Sequence, residues 1–198
     1  MWRFLRQDAH PNCTIPRHAS ALPIARLVCG RPMPAVDEPV LVRISASPEP
    51  TSDFMERPFT VVSERMRAAL DRTGVDNVQF IEARVQREWS EQVETGYWLM
   101  NVVGVVSCVD RLASGLDCDD DVPLVDIPRL VIDRSRTLGF DIFRLAEDIR
   151  MIVVSPRVQA ALVSAGLRGV LIQDPALYAG GRATSRAELA QASGQLPS

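Results

Sequence analysis

The sequence predicts an α+β domain in which a mainly antiparallel sheet is covered by two helices that repeat one another. One observation is an internal repeat: Val61-Val62-Ser63-Glu64-Arg65-Met66-Arg67-Ala68-Ala69-Leu70, leading to Gly74, matches Val153-Val154-Ser155-Pro156-Arg157-Val158-Gln159-Ala160-Ala161-Leu162, leading to Gly166. Another is that the stretch between the copies is mostly strand-like, and a third is that the chain has too few helical stretches to cover a parallel sheet.

Taken in order, residues 1–52 are rich in proline (Pro11, Pro16, Pro23, Pro32, Pro34, Pro39, Pro48 and Pro50). Proline removes a backbone donor, so this part is expected to be an irregular arm packed on the domain, with no central strand and one short strand over 40–44. The domain proper is expected over 53–178, with the repeat at 61–80 and 153–172 and a pseudo-twofold relating the copies. In each copy a β-branched run ends in a serine, Ser63 or Ser155, whose hydroxyl can accept from the first free N–H groups of a helix. Pro156 suits the first helical position. Met66, Ala69, Leu70 and Thr73 then form one apolar stripe, as do Val158, Ala161, Leu162 and Ala165. Gly74 and Gly166 supply the left-handed residue that ends each helix. Strands are expected over 78–89 and 97–109, joined by a turn at 90–96, with the inner one at the centre of the sheet. Further strands follow at 129–133, 141–145 and 150–154. Residues 179–198, poor in apolar side chains, read as a mobile tail.

Composition excludes several classes of function. Apolar residues at 46% and charged residues at 24% are values of a packed globular chain. All 22 basic residues are Arg, but they are interleaved with acids to a net charge of -3, which argues against a nucleic-acid partner. The N-terminus, Met1-Trp2-Arg3-Phe4-Leu5-Arg6, is broken by charge too early for a secretory signal. The longest apolar run, 97–109, is interrupted by Asn101, Gly104 and Ser107 and is shorter than the roughly 20 residues a spanning helix needs. A cytoplasmic protein with no membrane contact is expected. Its four cysteines, Cys13, Cys29, Cys108 and Cys118, form no C-x-x-C pair and read as reduced thiols.

Catalytic chemistry finds little support. His10 and His18 lie near Cys13 and Cys29, but two short-spaced ligand pairs are missing, so neither a metal nor any other cofactor is expected. With no histidine in the body, an enzyme would have to rely on carboxylates such as Asp110 or Asp133. Ser63 and Ser155 lack the flanking glycines of a strained nucleophile turn and read as caps. Gly180-Gly181 falls in the tail, and Gly104, isolated in a strand, reads as a bend, so no phosphate-cradling loop is present. A binding surface is better supported. Trp89 and Tyr97 flank the turn that holds Glu91 and Glu94, and Asp117, Asp119, Asp120 and Asp121 crowd one loop suited to a basic partner. The loops 90–96 and 111–122 are the candidate contact surfaces.

The order of segments carries a resemblance. Asp53-Phe54-Met55, Val61-Val62-Ser63-Glu64-Arg65, Asn77-Val78-Gln79-Phe80, Tyr97-Trp98-Leu99-Met100-Asn101-Val102-Val103 and Cys108-Val109-Asp110 come first. Leu130-Val131-Ile132-Asp133, Ile142-Phe143-Arg144-Leu145, Val153-Val154-Ser155 and Gly166-Leu167-Arg168-Gly169-Val170 complete the series. Together, over residues 53–172, they resemble a family of bacterial immunity proteins with a myxobacterial founder, whose members occur in polymorphic toxin loci. The resemblance implies a non-enzymatic protein encoded beside a toxin domain, which it binds and neutralises to protect the producing cell and its kin. It assigns no catalytic residues and no toxin. An enzyme that reverses the toxin's modification, or an adaptor that pairs with a neighbouring protein, are the competing readings.

Overall fold

The computed structural model describes residues 1–9, 14–19, 22, 24–116, 129–178 and 185. In chain order its elements are β1 (Arg3–Gln7), β2 (Pro16–Ala19), α1 (Ile24–Val28), β3 (Val40–Ile44), β4 (Phe54–Met55), β5 (Val61–Ser63) and α2 (Glu64–Asp71). They continue with β6 (Val78–Arg87), β7 (Val93–Val102), β8 (Val105–Val106), β9 (Ile142–Leu145), β10 (Ile152–Val154), α3 (Pro156–Ser164) and β11 (Val170–Gln173).

The α+β class and the antiparallel bias hold, but the strands form two sheets where one was expected. A six-stranded sheet runs β2-β3-β6-β7-β5-β4 and a five-stranded sheet runs β11-β1-β10-β9-β8. Only β3 with β6 and β8 with β9 pair in parallel among the described residues. The expected strand over 97–109 breaks at Gly104, whose φ of 123° lies outside the range of ordinary side chains, and the chain passes there from the first sheet to the second. Residues 129–133 contribute a single bridge, Val109 to Ile132, in place of the expected strand.

Where an irregular arm was expected, the described part of residues 1–52 contributes regular strands. Strand β1 pairs with β10 on one side and β11 on the other, as an interior strand of the five-stranded sheet. It escapes the proline argument because the first proline is Pro11, beyond its end. Strand β3 forms at the residues expected, and with β2 extends the six-stranded sheet past β6.

Each repeat copy is a strand–helix–strand unit that straddles a third strand antiparallel to both. β5 and β6 flank β7, and β10 and β11 flank β1. Ser63 Oγ accepts from Met66 N at 3.3 Å and Ser155 Oγ from Val158 N at 3.4 Å, so both serines cap their helices as their position predicts. Gly74 and Gly166 close the helices with φ of 68° and 57°. The units also close each other. Arg65 Nη2 donates to the Ala165 and Gly166 carbonyls at the end of α3 (2.9 and 3.1 Å), and Arg157 Nη1 donates to the Thr73 carbonyl at the end of α2. An aspartate holds each arginine: Asp53 accepts from Arg65 Nη1 at 3.1 Å and from the Ser63 hydroxyl at 2.5 Å, while Asp141 accepts from Arg157 Nη2. The backbone N–H groups of Ser63 and Ser155 donate to the carbonyls of Asp53 and Asp141.

The two helices lie together on one core that draws from both sheets, with Leu5, Val62, Met66, Leu70, Met100, Ile152, Val158 and Leu162 all buried in it. Each such side chain contributes about 1.5–3 kcal/mol of burial, which makes this the part that ties the sheets together. A second core packs α1, Leu27 and Met33 on the other face of the six-stranded sheet, and a third gathers Phe4, Val106, Cys108, Phe143 and Tyr178 on the far face of the five-stranded one.

Candidate docking site at the hairpin end

Strands β6 and β7 form the longest pairing of the fold, and its geometry decides what their connection presents. The register slips by one residue between Ala83 and Val85, where β7 carries an extra residue around Gly96 at a φ of 77°. Gly96 therefore lies in a bulge within the strand, not in the turn, and the turn itself spans 88–92. Such a bulge increases the local twist and re-aims the strand end.

The base of the hairpin is pinned. Arg87 donates through Nη1 to the Ser47 carbonyl (2.8 Å), through Nη2 to Glu49 O (2.9 Å) and Thr51 Oγ1 (2.7 Å), and through Nε to Glu94 Oε1 (3.3 Å). Glu94 also accepts from Thr51 Oγ1 at 2.9 Å. Tyr97 is half-buried beside them, and burial first, then the Glu94 charge, pushes its phenol above the usual value. Two of the residues singled out at the turn, Glu94 and Tyr97, thus sit in the fastening of the hairpin.

Trp89 and Glu91 stand at the tip. Trp89 is 98% exposed and holds a φ of 66°, a left-handed backbone in which a bulky residue is an outlier. Beside it an open groove of about 560 Å³ is lined by Arg17, His18, Arg43, Gln86, Trp89 and Glu91 among others. The strand register builds this row: His18 lies opposite Arg43, Arg43 opposite Gln86, and Gln86 opposite Val93. Among the described residues, the side chains of Arg17, His18, Arg43, Trp89 and Glu91 make no hydrogen bond or ion pair, and all five are exposed. Arg17 and Arg43 carry no site signal in the sequence, and His18 stands out there only as a metal-ligand candidate. The alternation of Val40-Leu41-Val42-Arg43-Ile44 marks Arg43 as outward-facing, but only the β3–β6 pairing shows what it faces.

The acidic loop with Asp117, Asp119, Asp120 and Asp121 lies outside the described residues, as do His10, Cys13 and Cys118. The two carboxylates considered for catalysis cap turns: Asp110 Oδ1 accepts from Ala113 N at 2.9 Å, and Asp133 Oδ1 from Ser135 N at 2.9 Å and Oγ at 2.7 Å. Hydrogen bonds from Ser135 hold the Asp133 carboxyl below its ordinary value. Cys108 is buried, and desolvation, helped by the Glu147 charge, pushes its thiol up to about 12, far from a reactive thiolate. No group of three His, Cys, Asp or Glu among the described residues could hold a metal ion, and no helix among them is long and apolar enough to cross a membrane.

Comparison with known families matches residues 6–176 to the model of the Imm11 immunity protein family. The chain belongs to the Imm11 family. The match begins inside β1, so the family's domain takes in the segment that proline content alone would set apart as an arm. Membership supports a general role for this Imm11 chain in binding and neutralising. No curated protein matches it.

Proposed function

We propose that this Imm11 chain neutralises a cognate toxin domain, encoded nearby, by docking it on the hairpin end of the six-stranded sheet in the cytoplasm of the producing cell. The observation that carries this reading is Trp89, a large apolar side chain wholly in solvent on a strained backbone. A side chain so exposed buries almost no apolar surface in the fold, and backbone outliers of this kind cluster where function uses them. A rigid indole at a protruding tip is suited to a pocket on a partner, where tryptophans commonly carry much of the binding energy. Glu91, Arg17 and Arg43 would flank it with charge, with His18 beside them, and Asp117, Asp119, Asp120 and Asp121 would offer acidic contacts to a separate, basic surface of the toxin.

Co-expression tests the proposal. The toxin domain from the neighbouring gene is induced with and without this chain, and growth and complex formation are scored. Rescue at near-equal amounts with a stable complex, lost in Trp89→Ala, is the expected result. Rescue by trace amounts without a complex would overturn it in favour of an enzyme that reverses the toxin's damage. Rescue undiminished in Trp89→Ala would move the interface away from the hairpin.

A further inference from the structure

A cavity of about 270 Å³ opens between the β4–β5 connection and the β9–β10 turn, and it shares no lining residue with the hairpin groove. Arg144 of β9 lines it while only 4% exposed. Its Nη1 donates to the Ile149 carbonyl at 3.1 Å, but its Nε, wholly buried, has no hydrogen-bond partner. Among the described residues Arg144 also has no carboxylate within ion-pairing reach. The space is kept for it by Gly30, where a Cβ would lie 3.1 Å from Arg144 Cδ.

The acids nearby are already engaged. Glu56 accepts from Arg6 Nε at 2.9 and 3.1 Å and from Gln7 N at 3.1 Å. Asp148 accepts from Arg150 Nε and Nη2 at 2.7 and 2.8 Å and from the Tyr178 hydroxyl at 2.9 Å. Burying a cation is costly, and although the Glu56 charge acts on Arg144 from a distance, desolvation outweighs it and lowers the affinity of the guanidinium for its proton. Arg57, ion-paired through Nε to Glu56 at 3.8 Å, and Arg150 are about half exposed and also line the cavity, with Glu56 itself and with Val28, Pro58 and Phe59. A guanidinium edge binds planar or tetrahedral oxyanions through paired N–H groups. The volume is below the usual range of roughly 300–1,000 Å³ for ligand sites, which limits the occupant to a small molecule.

We infer that this cavity binds the carboxylate or phosphate end of a small organic anion, seated on Arg144 between Arg57 and Arg150, with its apolar body against Val28, Pro58 and Phe59. The site is independent of toxin docking and stands or falls without it.

The test titrates the full chain with benzoate, phenyl phosphate and the uncharged benzyl alcohol, following the arginine Nε–Hε resonances by NMR and affinity by calorimetry. One or both anions should bind saturably and shift the Arg144 Nε–Hε resonance, and benzyl alcohol should not. Which anion binds more tightly identifies the head group as carboxylate or phosphate. Arg144→Met should weaken binding roughly tenfold or more, as loss of a charge-assisted hydrogen bond does. Because that variant removes a buried side chain, Arg57→Gln serves as a second probe at a partly exposed lining position and should weaken binding severalfold. Absence of saturation by either anion, equal binding of benzyl alcohol, or unchanged affinity in Arg57→Gln together with an unmoved Arg144 resonance would each overturn the inference.

Discussion

The helix pair and the hairpin end are built from similar residues and use them in opposite ways. In the helix pair, Arg65 and Arg157 are each spent on an aspartate of their own unit and on the carbonyls that end the other helix. At the hairpin end, Arg17, Arg43 and Trp89 have no such partners and lie open to solvent around a groove. The first region resolves its polar groups internally and so acts as scaffold. The second leaves charge and apolar surface unresolved, at a backbone conformation that is itself unfavourable, as a surface awaiting a partner does.

The sharpest way to break this contrast is to damage the scaffold. Leu70→Ala should lower the unfolding free energy by about 3 kcal/mol, as truncation of a fully buried leucine does, in urea denaturation. The fraction that remains folded should bind toxin with unchanged affinity. Trp89→Ala should do the reverse, weakening toxin binding by about 2 kcal/mol or more in calorimetry. Its effect on unfolding should stay within about 0.5 kcal/mol. Replacing the same residue by glycine should raise stability, since φ of 66° no longer strains the chain. A loss of stability in either Trp89 variant would make the tip part of the fold.

Smaller effects sharpen the reciprocity of the two units. Arg65→Met and Arg157→Met should each lower stability slightly by opening the carbonyl end of the opposite helix, and by nearly the same amount in urea denaturation. Strongly unequal costs would show that only one of the two closures matters. The smallest effect concerns acid. The hydrogen bond and charge of Arg157 hold the Asp141 carboxyl below its ordinary value. Because the folded pKa is the lower one, the stability it contributes is complete above the unfolded carboxylate value of about 3.9 and is lost as pH falls through the folded value. Asp141→Asn should therefore flatten the acid limb of a stability-against-pH curve and leave its neutral plateau nearly parallel to the wild type.

Much of the scaffold was legible because its signals are local. Ser63, Ser155, Pro156, Gly74 and Gly166 each act within a turn of their own helix, so their spacing alone announced both units. The aspartates that hold the arginines were not legible, since Asp53 and Asp141 stand at different distances from their serines and show no repeat. At the candidate site, Trp89 and Glu91 could be picked out as turn residues. Glu94 and Tyr97 could not be told from them, because the bonds of Glu94 to Arg87 and Thr51 and the half-burial of Tyr97 appear only when the strands are paired.

By itself the sequence determined the two capped strand–helix units, the strand at 40–44 and the long hairpin, since capping, periodicity and turn chemistry need no distant partner. Only the tertiary structure decided that residues 3–7 fill the middle of a second sheet, that the apolar run changes sheets at Gly104, and that His18 and Arg43 reach the groove beside Trp89. The reason is physical: every strand offers the same backbone donors and acceptors, so its neighbours are chosen by which apolar faces can share a core, and that choice is made between residues far apart in the chain.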